Sequence, residues 1–222
     1  QIQGPTALDL MTTVTGIDQA DFSYYAVTEA KINGLSCYIS RSGWTGEKGF
    51  EIYSKDDNFD GEALWQYLLT EGAPFQLLAS DVTSMHIRRL EAGILDYGTD
   101  IDQSLNPFEL GLGQFVDLNK ANFIGQAALL ETDRREARVM GLRSKEVKPT
   151  RGDRLENQAG EALGTITAGA WSPSLDCGIG ILRLNHSIDP DTELRLSTEA
   201  GGYKAELCPL PFYDPKKLIP RS

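Results

Sequence analysis

The chain has 222 residues, of which 21 are basic and 32 acidic, so its formal net charge is −11. Such an acidic chain lacks the positive surface with which proteins neutralise phosphates, and we predict no nucleic-acid partner. Three widely spaced cysteines and two histidines match neither a disulfide framework nor a histidine-based metal site. No apolar run reaches the roughly 20 residues that cross a bilayer. We therefore predict no bound metal, no membrane partner and a reducing compartment, cytoplasmic or the matrix of a mitochondrion.

Helical patterns occupy four stretches of the first 135 residues. The predicted helices cover residues 5–16, 60–72, 80–98 and 122–131. Pro5 suits a first helical turn, Gly72 suits a helix end, and Ser80 or Asp81 suits the cap of the third helix. In that third helix the apolar period predicts that Ile87, Leu90 and Ile94 face inward.

Extended patterns separate the first two helices. Asn33-Gly34 is a strong hairpin dipeptide, so the residues on either side of it are predicted to pair as strands. A third strand follows the glycine-containing turn 44–49. Successive strand residues point to opposite faces, which places Glu51 and Tyr53 together on one face. Two interpretations stay open: an edge strand with that face in water, or a pocket lined by Glu51 and Tyr53.

Strand patterns dominate from about residue 136 onward, separated by turns rich in glycine and aspartate. Gly201-Gly202 is predicted to close one hairpin. The fold class is therefore α+β: a mixed or antiparallel sheet with helices, then a small C-terminal β-barrel or sandwich. We place a middle α+β domain at 1–135, incomplete at its N-terminus, and a C-terminal β-barrel domain at 136–222. The predicted strand runs cover residues 137–144, 160–175, 178–184 and 192–211.

Four stretches in order resemble one family, whereas phosphate-binding glycine loops, serine nucleophile elbows and zinc-protease motifs are absent. The sequence is similar to the tetrahydrofolate-dependent aminomethyltransferases, the glycine cleavage T-protein and relatives that include dimethylsulfoniopropionate demethylase. The stretches are "IQGPTA" (2–7), "SRSGWTGEKGFEIY" (40–53), "RRLEAGILDYGTDID" (88–102) with "NPFELGLGQFVDL" (106–118), and "FIGQAAL" (123–129).

The resemblance implies a folate site. Glu51 would accept the two adjacent N–H donors of the pterin, since charge-assisted hydrogen bonds are the strong ones. Tyr53 and Trp171 would flank the flat ring, although a core position is equally open for Trp171. Arg89 of the "RLEAG" motif is the fourth predicted folate-binding residue. For it and for Arg88 the alternative is a solvated side chain or a pair with Glu91 or Asp96, both within the predicted third helix.

The resemblance also implies a reaction in which tetrahydrofolate accepts a methyl or aminomethyl group from a sulfur or nitrogen donor. For the T-protein that donor is carried on the lipoyl arm of a partner protein, and for the demethylase it is a sulfonium compound. Met85 stands where T-proteins usually have arginine, and Trp44 where they often have tyrosine, which favours a demethylase-like branch. The family's acidic catalytic residue is expected upstream of "QGP", so we assign no catalytic residue in this chain and expect it to be a fragment.

Three alternatives to that branch remain at this point. The first is a glycine cleavage T-protein proper. The second is the folate module of a flavin-dependent dimethylglycine or sarcosine dehydrogenase. The third is a non-catalytic folate-binding protein that assists iron–sulfur cluster maturation. Those relatives carry a cysteine in a "KGCYxGQE"-like motif, which none of Cys37, Cys177 and Cys208 matches.

Overall fold

The computed structural model describes residues 1–18, 22–189 and 192–222. They form two compact units, one of Gln1–Arg89 with Lys216–Ser222 and one of Leu90–Pro215. Each unit is built around an antiparallel sheet, and helices accompany the sheet of the first unit, which confirms the α+β class. The domain boundary near residue 135 stays a prediction. No helix in the described part of the chain is long and apolar enough to cross a bilayer.

The first unit holds a four-stranded sheet in the order β1-β4-β3-β2. The predicted hairpin is confirmed: β2 pairs with β3, and both Asn33 and Gly34 have the positive φ that its tight turn requires. The strands are β1 (Ile2–Gln3), β2 (Val27–Ile32), β3 (Leu35–Ser40) and β4 (Gly49–Ser54). The helices that start in this unit are α1 (Ala7–Thr15), α2 (Gly61–Gly72) and α3 (Val82–Glu91).

The ends of α2 and α3 compare differently with the prediction. The α-helix α2 ends at Gly72 as predicted. Gly72 itself keeps helical backbone angles, however, and after the 3-10 turn Ala73–Phe75 the positive φ that turns the chain is supplied by Gln76. The third helix was expected to reach residue 98 but ends at Glu91.

Gly93 supplies the physical reason for the early end of α3. Its φ is 62°, and a Cβ there would lie 2.8 Å from the Cα of Pro211. Only glycine adopts this conformation without strain and leaves room for that backbone. Ile94 consequently lies beyond the helix, and its predicted place on the inward face of α3 is wrong.

Apolar side chains of α1 and of the inner face of the sheet form the core of the first unit. Burying a side chain such as Leu10 or Phe50 stabilises the fold by about 1.5–3 kcal/mol each. The fully buried members of this core are Ile2, Ala7, Leu8, Leu10, Met11, Val14, Phe22, Ile32, Cys37, Ile39 and Phe50.

The second unit holds a seven-stranded antiparallel sheet in the order β10-β9-β6-β7-β8-β5-β11. Its core is lined by leucine and isoleucine from six of the strands, and a short helix α4 (Gln126–Glu131) precedes the sheet. The predicted Gly201-Gly202 hairpin forms, with both glycines in its second strand. The strands are β5 (Val139–Ser144), β6 (Arg154–Glu156), β7 (Ala162–Ser172), β8 (Cys177–Leu184), β9 (Arg195–Thr198), β10 (Gly201–Lys204) and β11 (Glu206–Cys208).

Candidate functional site

The outer face of the first sheet carries the two residues singled out in β4. Ser40 lies directly opposite Glu51 and Tyr38 directly opposite Tyr53 in the antiparallel register. Directly opposed residues share a face, so we call Tyr38, Ser40, Glu51 and Tyr53 the outer face. Tyr53 is 53% exposed whereas Phe50 is 2% exposed, which confirms the predicted alternation along β4.

Hydroxyl groups surround the Glu51 carboxylate. The Oγ of Ser42 donates to its Oε2 at 2.5 Å, and the Oγ of Ser40 lies 2.8 Å from the Oγ of Ser42. The carboxylate is half-buried, so these contacts replace part of its hydration. Sequence reasoning missed Ser42, although it belongs to the quoted stretch that contains Glu51.

Tyr53 interacts electrostatically with the same carboxylate. The negative charge of Glu51, then partial burial and a hydrogen bond to Glu51, raise the pKa of the Tyr53 phenol above its ordinary value. The phenol is therefore protonated at neutral pH. Glu51 and Tyr53 thus present a carboxylate next to an exposed aromatic ring, that of Tyr53.

Tyr38 completes the outer face with a second aromatic ring. The ammonium group of Lys55 lies 4.8 Å from the centre of this ring and 2.7 Å from a carboxylate oxygen of Glu29. The hydrogen bond that Lys55 donates to Glu29 is the main cause that raises the pKa of Lys55. Two half-exposed rings beside a carboxylate suit a flat heteroaromatic ligand that presents N–H donors.

Gln3 of β1 ties the outer face to the N-terminal motif. Its Nε2 donates to the carbonyl of Ser42 at 3.2 Å, and its Oε1 accepts from the Oγ1 of Thr45 at 2.6 Å. A Cβ on Gly43 would lie 2.0 Å from Oε1 of Gln3, and one on Gly49 would lie 2.3 Å from Nε2. The two glycines therefore make room for the amide. This contact explains why "IQGPTA" and "SRSGWTGEKGFEIY" belong to one structural element.

The two arginines of α3 have different surroundings. Arg88 forms an ion pair with Glu47 at 2.5 Å, which is neither of the helical acids considered as its partner. Arg89 is 3% exposed, so its solvated alternative is wrong. The predicted contact of Arg89 with folate stays a prediction.

Trp171 lies near the end of β7 in the second unit. It is 38% exposed, whereas its neighbours Ala170 and Ser172 are buried, so it is not a core tryptophan. Its indole is available at a surface, as an aromatic contact to a ligand requires. The predicted contact of Trp171 with folate also stays a prediction.

A cavity of about 770 Å³ opens in the first unit on the other side of β4. This volume falls in the range of roughly 300–1,000 Å³ that is typical of small-molecule sites. Ile52 and Ser54 line it, and they alternate with Glu51 and Tyr53 along the strand, so those two predicted residues do not border it. Among the described residues, no three potential metal ligands cluster there or elsewhere. Apolar side chains make up most of the lining, chiefly Phe59, Leu64, Trp65, Leu68, Leu69, Leu77, Leu78 and Val82.

Comparison with known proteins identifies the family. Residues 1–120, more than half of the chain, match the family described as GCVT N-terminal domain, and residues 137–214 match the glycine cleavage T-protein C-terminal barrel domain. The chain belongs to the glycine cleavage T-protein family. The resemblance read from the four sequence stretches is thereby confirmed.

Several curated relatives of this T-protein family member are similar over almost all of its length. It is 32% identical to an aminomethyltransferase of Saccharopolyspora erythraea over 96% of the chain, and 33% identical to one of Moorella thermoacetica over 97%. The chain spans 59% and 60% of those two proteins. The crystal structure of glycine cleavage system aminomethyltransferase T from Bartonella henselae matches with a TM-score of 0.78 and 25% identity, over 96% of this chain and 58% of that one.

Proposed function

We propose that the protein serves tetrahydrofolate-dependent aminomethyl transfer, with the pterin of the folate held by Glu51. One observation carries the proposal: a carboxylate that accepts a hydrogen bond from Ser42 lies beside two exposed aromatic rings, in a chain whose curated relatives are named aminomethyltransferase. The enzymatic activity belongs to the same proposal, because the chain spans only about three fifths of those relatives.

The chemistry of Glu51 fits a pterin edge. An ionised carboxylate has about four acceptor positions, so the hydrogen bond from Ser42 leaves capacity for two further N–H donors. A pterin presents a 2-amino group beside a ring N–H, and its flat body suits a contact with the exposed ring of Tyr53. When bound, tetrahydrofolate supplies the nitrogen atoms that accept the carbon unit.

In this proposal the residues of this chain bind tetrahydrofolate and orient it. Holding an acceptor in a reactive geometry replaces a bimolecular encounter with an effectively unimolecular step, and the rate gain comes from orientation. Glu51 fixes the edge of the ring, Tyr53 contributes a hydroxyl and a face, and Arg89 remains the predicted cationic contact. No residue of this chain is assigned to proton transfer.

The thiols of the chain favour this proposal over a cysteine-based role in cluster maturation. Burial raises the pKa of Cys37, Cys177 and Cys208, so each thiol is predominantly protonated at neutral pH. A thiolate is the reactive form of cysteine. None of the three is therefore suited to attack a substrate as a nucleophile.

The first test is tetrahydrofolate binding, measured by calorimetry on the 222-residue chain and on Glu51→Gln. Loss of one charge-assisted pair is expected to cost on the order of 2 kcal/mol, roughly thirtyfold in Kd. Glu62→Gln is the matched control, since it removes an equal charge from an exposed position in the first turn of α2, outside the outer face. Equal affinities of the wild type and Glu51→Gln would contradict the folate site.

Met85 and Trp44 support a second candidate, transfer of a methyl group from a sulfonium donor. A carrier protein with an aminomethyl-lipoyl arm and a small sulfonium compound are the two donors to compare. We expect turnover with the aminomethyl donor, because the curated relatives are named for that group. Methyl transfer from the sulfonium compound alone would instead favour the demethylase-like branch.

A further inference from the structure

Three oxygen-bearing side chains form a continuous hydrogen-bonded series on the outer face. Ser40 lies 2.8 Å from Ser42, and Ser42 lies 2.5 Å from Glu51, each distance joining side-chain oxygens. Ser40 is also the strand partner of Glu51. The series therefore starts and ends on directly opposed residues of β3 and β4.

Each hydroxyl in this series can donate its proton to only one acceptor. An ionised carboxylate only accepts, so Ser42 donates its single proton to Glu51. Ser42 then has no proton left for Ser40, and Ser40 must donate to Ser42. Both hydroxyls thus point toward the carboxylate, and its Oε2 is occupied by Ser42.

The backbone of Ser42 is held independently of this series. Its carbonyl accepts from the amide of Gln3, and that amide is itself bound to Thr45 and enclosed by Gly43 and Gly49. Because Ser42 follows the end of β3, this contact replaces the strand pairing that would otherwise fix it. The donor of the Glu51 hydrogen bond is consequently in a defined place.

We propose that Ser42, supported by Ser40 and Gln3, is a positioning residue that orients the Glu51 carboxylate toward the ligand. The inference rests on the proposed function, because the ligand is tetrahydrofolate. The part of it that Glu51 contacts is the pterin edge with two adjacent N–H donors. Ser42 acts by holding Oε2, which leaves the free acceptor positions of Glu51 directed away from the turn. Without it the carboxylate rotates, and the two ligand hydrogen bonds lose their alignment.

The decisive comparison is Ser42→Thr with Ser42→Val. The two side chains have the same shape, but only threonine keeps the hydroxyl, so any steric cost is common to both. We expect the Ser42→Val chain to bind tetrahydrofolate about tenfold more weakly than Ser42→Thr in calorimetry. Equal Kd values in the two variants, with Glu51→Gln still weakening binding, would overturn the positioning role while leaving the folate site intact.

A double-mutant cycle separates positioning from a merely structural role. If Ser42 acts through Glu51, the difference between the threonine and valine variants disappears in a Glu51→Gln background. A structural contribution of the hydroxyl to the turn would persist in that background. Persistence of the full difference would therefore contradict the proposal.

A third measurement does not depend on folate binding. Valine removes a donor from Glu51, so more negative charge faces Tyr53, and its phenol should titrate at a higher pH than in Ser42→Thr. The ring carbon signal of labelled tyrosine reports this titration, and Tyr53→Phe assigns the signal. An identical Tyr53 titration in both variants shows that Ser42 does not act on Glu51, even if the chain fails to bind folate.

Discussion

Gln3 shows how one side chain determines the surroundings of a candidate site residue. Its amide makes two hydrogen bonds, to Ser42 and to Thr45, in a space that exists because Gly43 and Gly49 lack a Cβ. The sequence displays a glutamine and two glycines in separate stretches. Their contact was not predictable, because the pairing of β1 with β4 brings them together.

At this scale we predict that Gly43→Ala costs about as much stability as Gln3→Ala. The added methyl group would displace the Gln3 amide, a flexible side-chain end, and so remove two hydrogen bonds worth together about 1–3 kcal/mol. Urea unfolding gives the free energy of each variant. The double variant should be little worse than either single one, and additive losses would show that the methyl group disturbs something else.

The helices illustrate which parts of an element the sequence reveals. Their apolar periods and acidic caps are local, and accordingly α2 begins after Asp60 and α3 after Asp81, with each carboxylate accepting from a backbone N–H of the first turn. The end of α3 depends on Gly93 and its close approach to Pro211. Those residues are distant in sequence, and the period alone gave no sign of that approach.

The cap of α2 gives the prediction at the scale of the element. Asp60→Ala should lower the free energy of unfolding by about 0.5–2 kcal/mol, because the N–H of Ala63 loses its acceptor. Asp60→Asn keeps an oxygen at the same place and should cost much less. Thermal or urea unfolding followed by circular dichroism compares the two, and an equal loss would exclude the capping contact as the cause.

At the scale of the whole molecule, this acidic chain of net charge −11 contains carboxylates whose hydrogen bonds stabilise the folded state only while they are ionised. The stability of the fold therefore depends on pH in the acidic range. Glu109 is 1% exposed; burial by itself would raise its pKa, but hydrogen bonds from Asn106, Arg134 and Arg138 outweigh this and lower it. Hydrogen bonds from Ser104, then from Arg183, lower the pKa of Asp102 to about 2. Both groups lie in the second unit.

The corresponding prediction concerns pH. A carboxyl whose pKa is lower in the folded state stabilises the fold above its unfolded pKa, and that contribution is lost as the pH falls. For Asp102 the loss begins near the ordinary value of 3.8 and continues to about 2, and for Glu109 it begins near the ordinary value of 4.5 and continues below it. Urea midpoints measured between pH 7 and pH 2 should fall in this window. Glu109→Gln should be less stable at pH 7 and show a shallower fall, and an unchanged pH profile would contradict the assignment.

The sequence by itself determined the α+β class, the hairpin at Asn33-Gly34, the shared face of Glu51 and Tyr53, and the family, because these follow from local periods and short ordered motifs. The tertiary structure decided what surrounds those residues: the Gln3 amide between two glycines, the hydroxyls of Ser40 and Ser42 on Glu51, the pairing of Arg88 with Glu47 and the burial of Arg89. The contacts of Gln3 and Arg88 join elements that are distant in sequence, and those of Ser40 and Ser42 with Glu51 depend on the register of β3 against β4. Strand register and side-chain packing, which set such contacts, arise only when the chain buries its apolar faces.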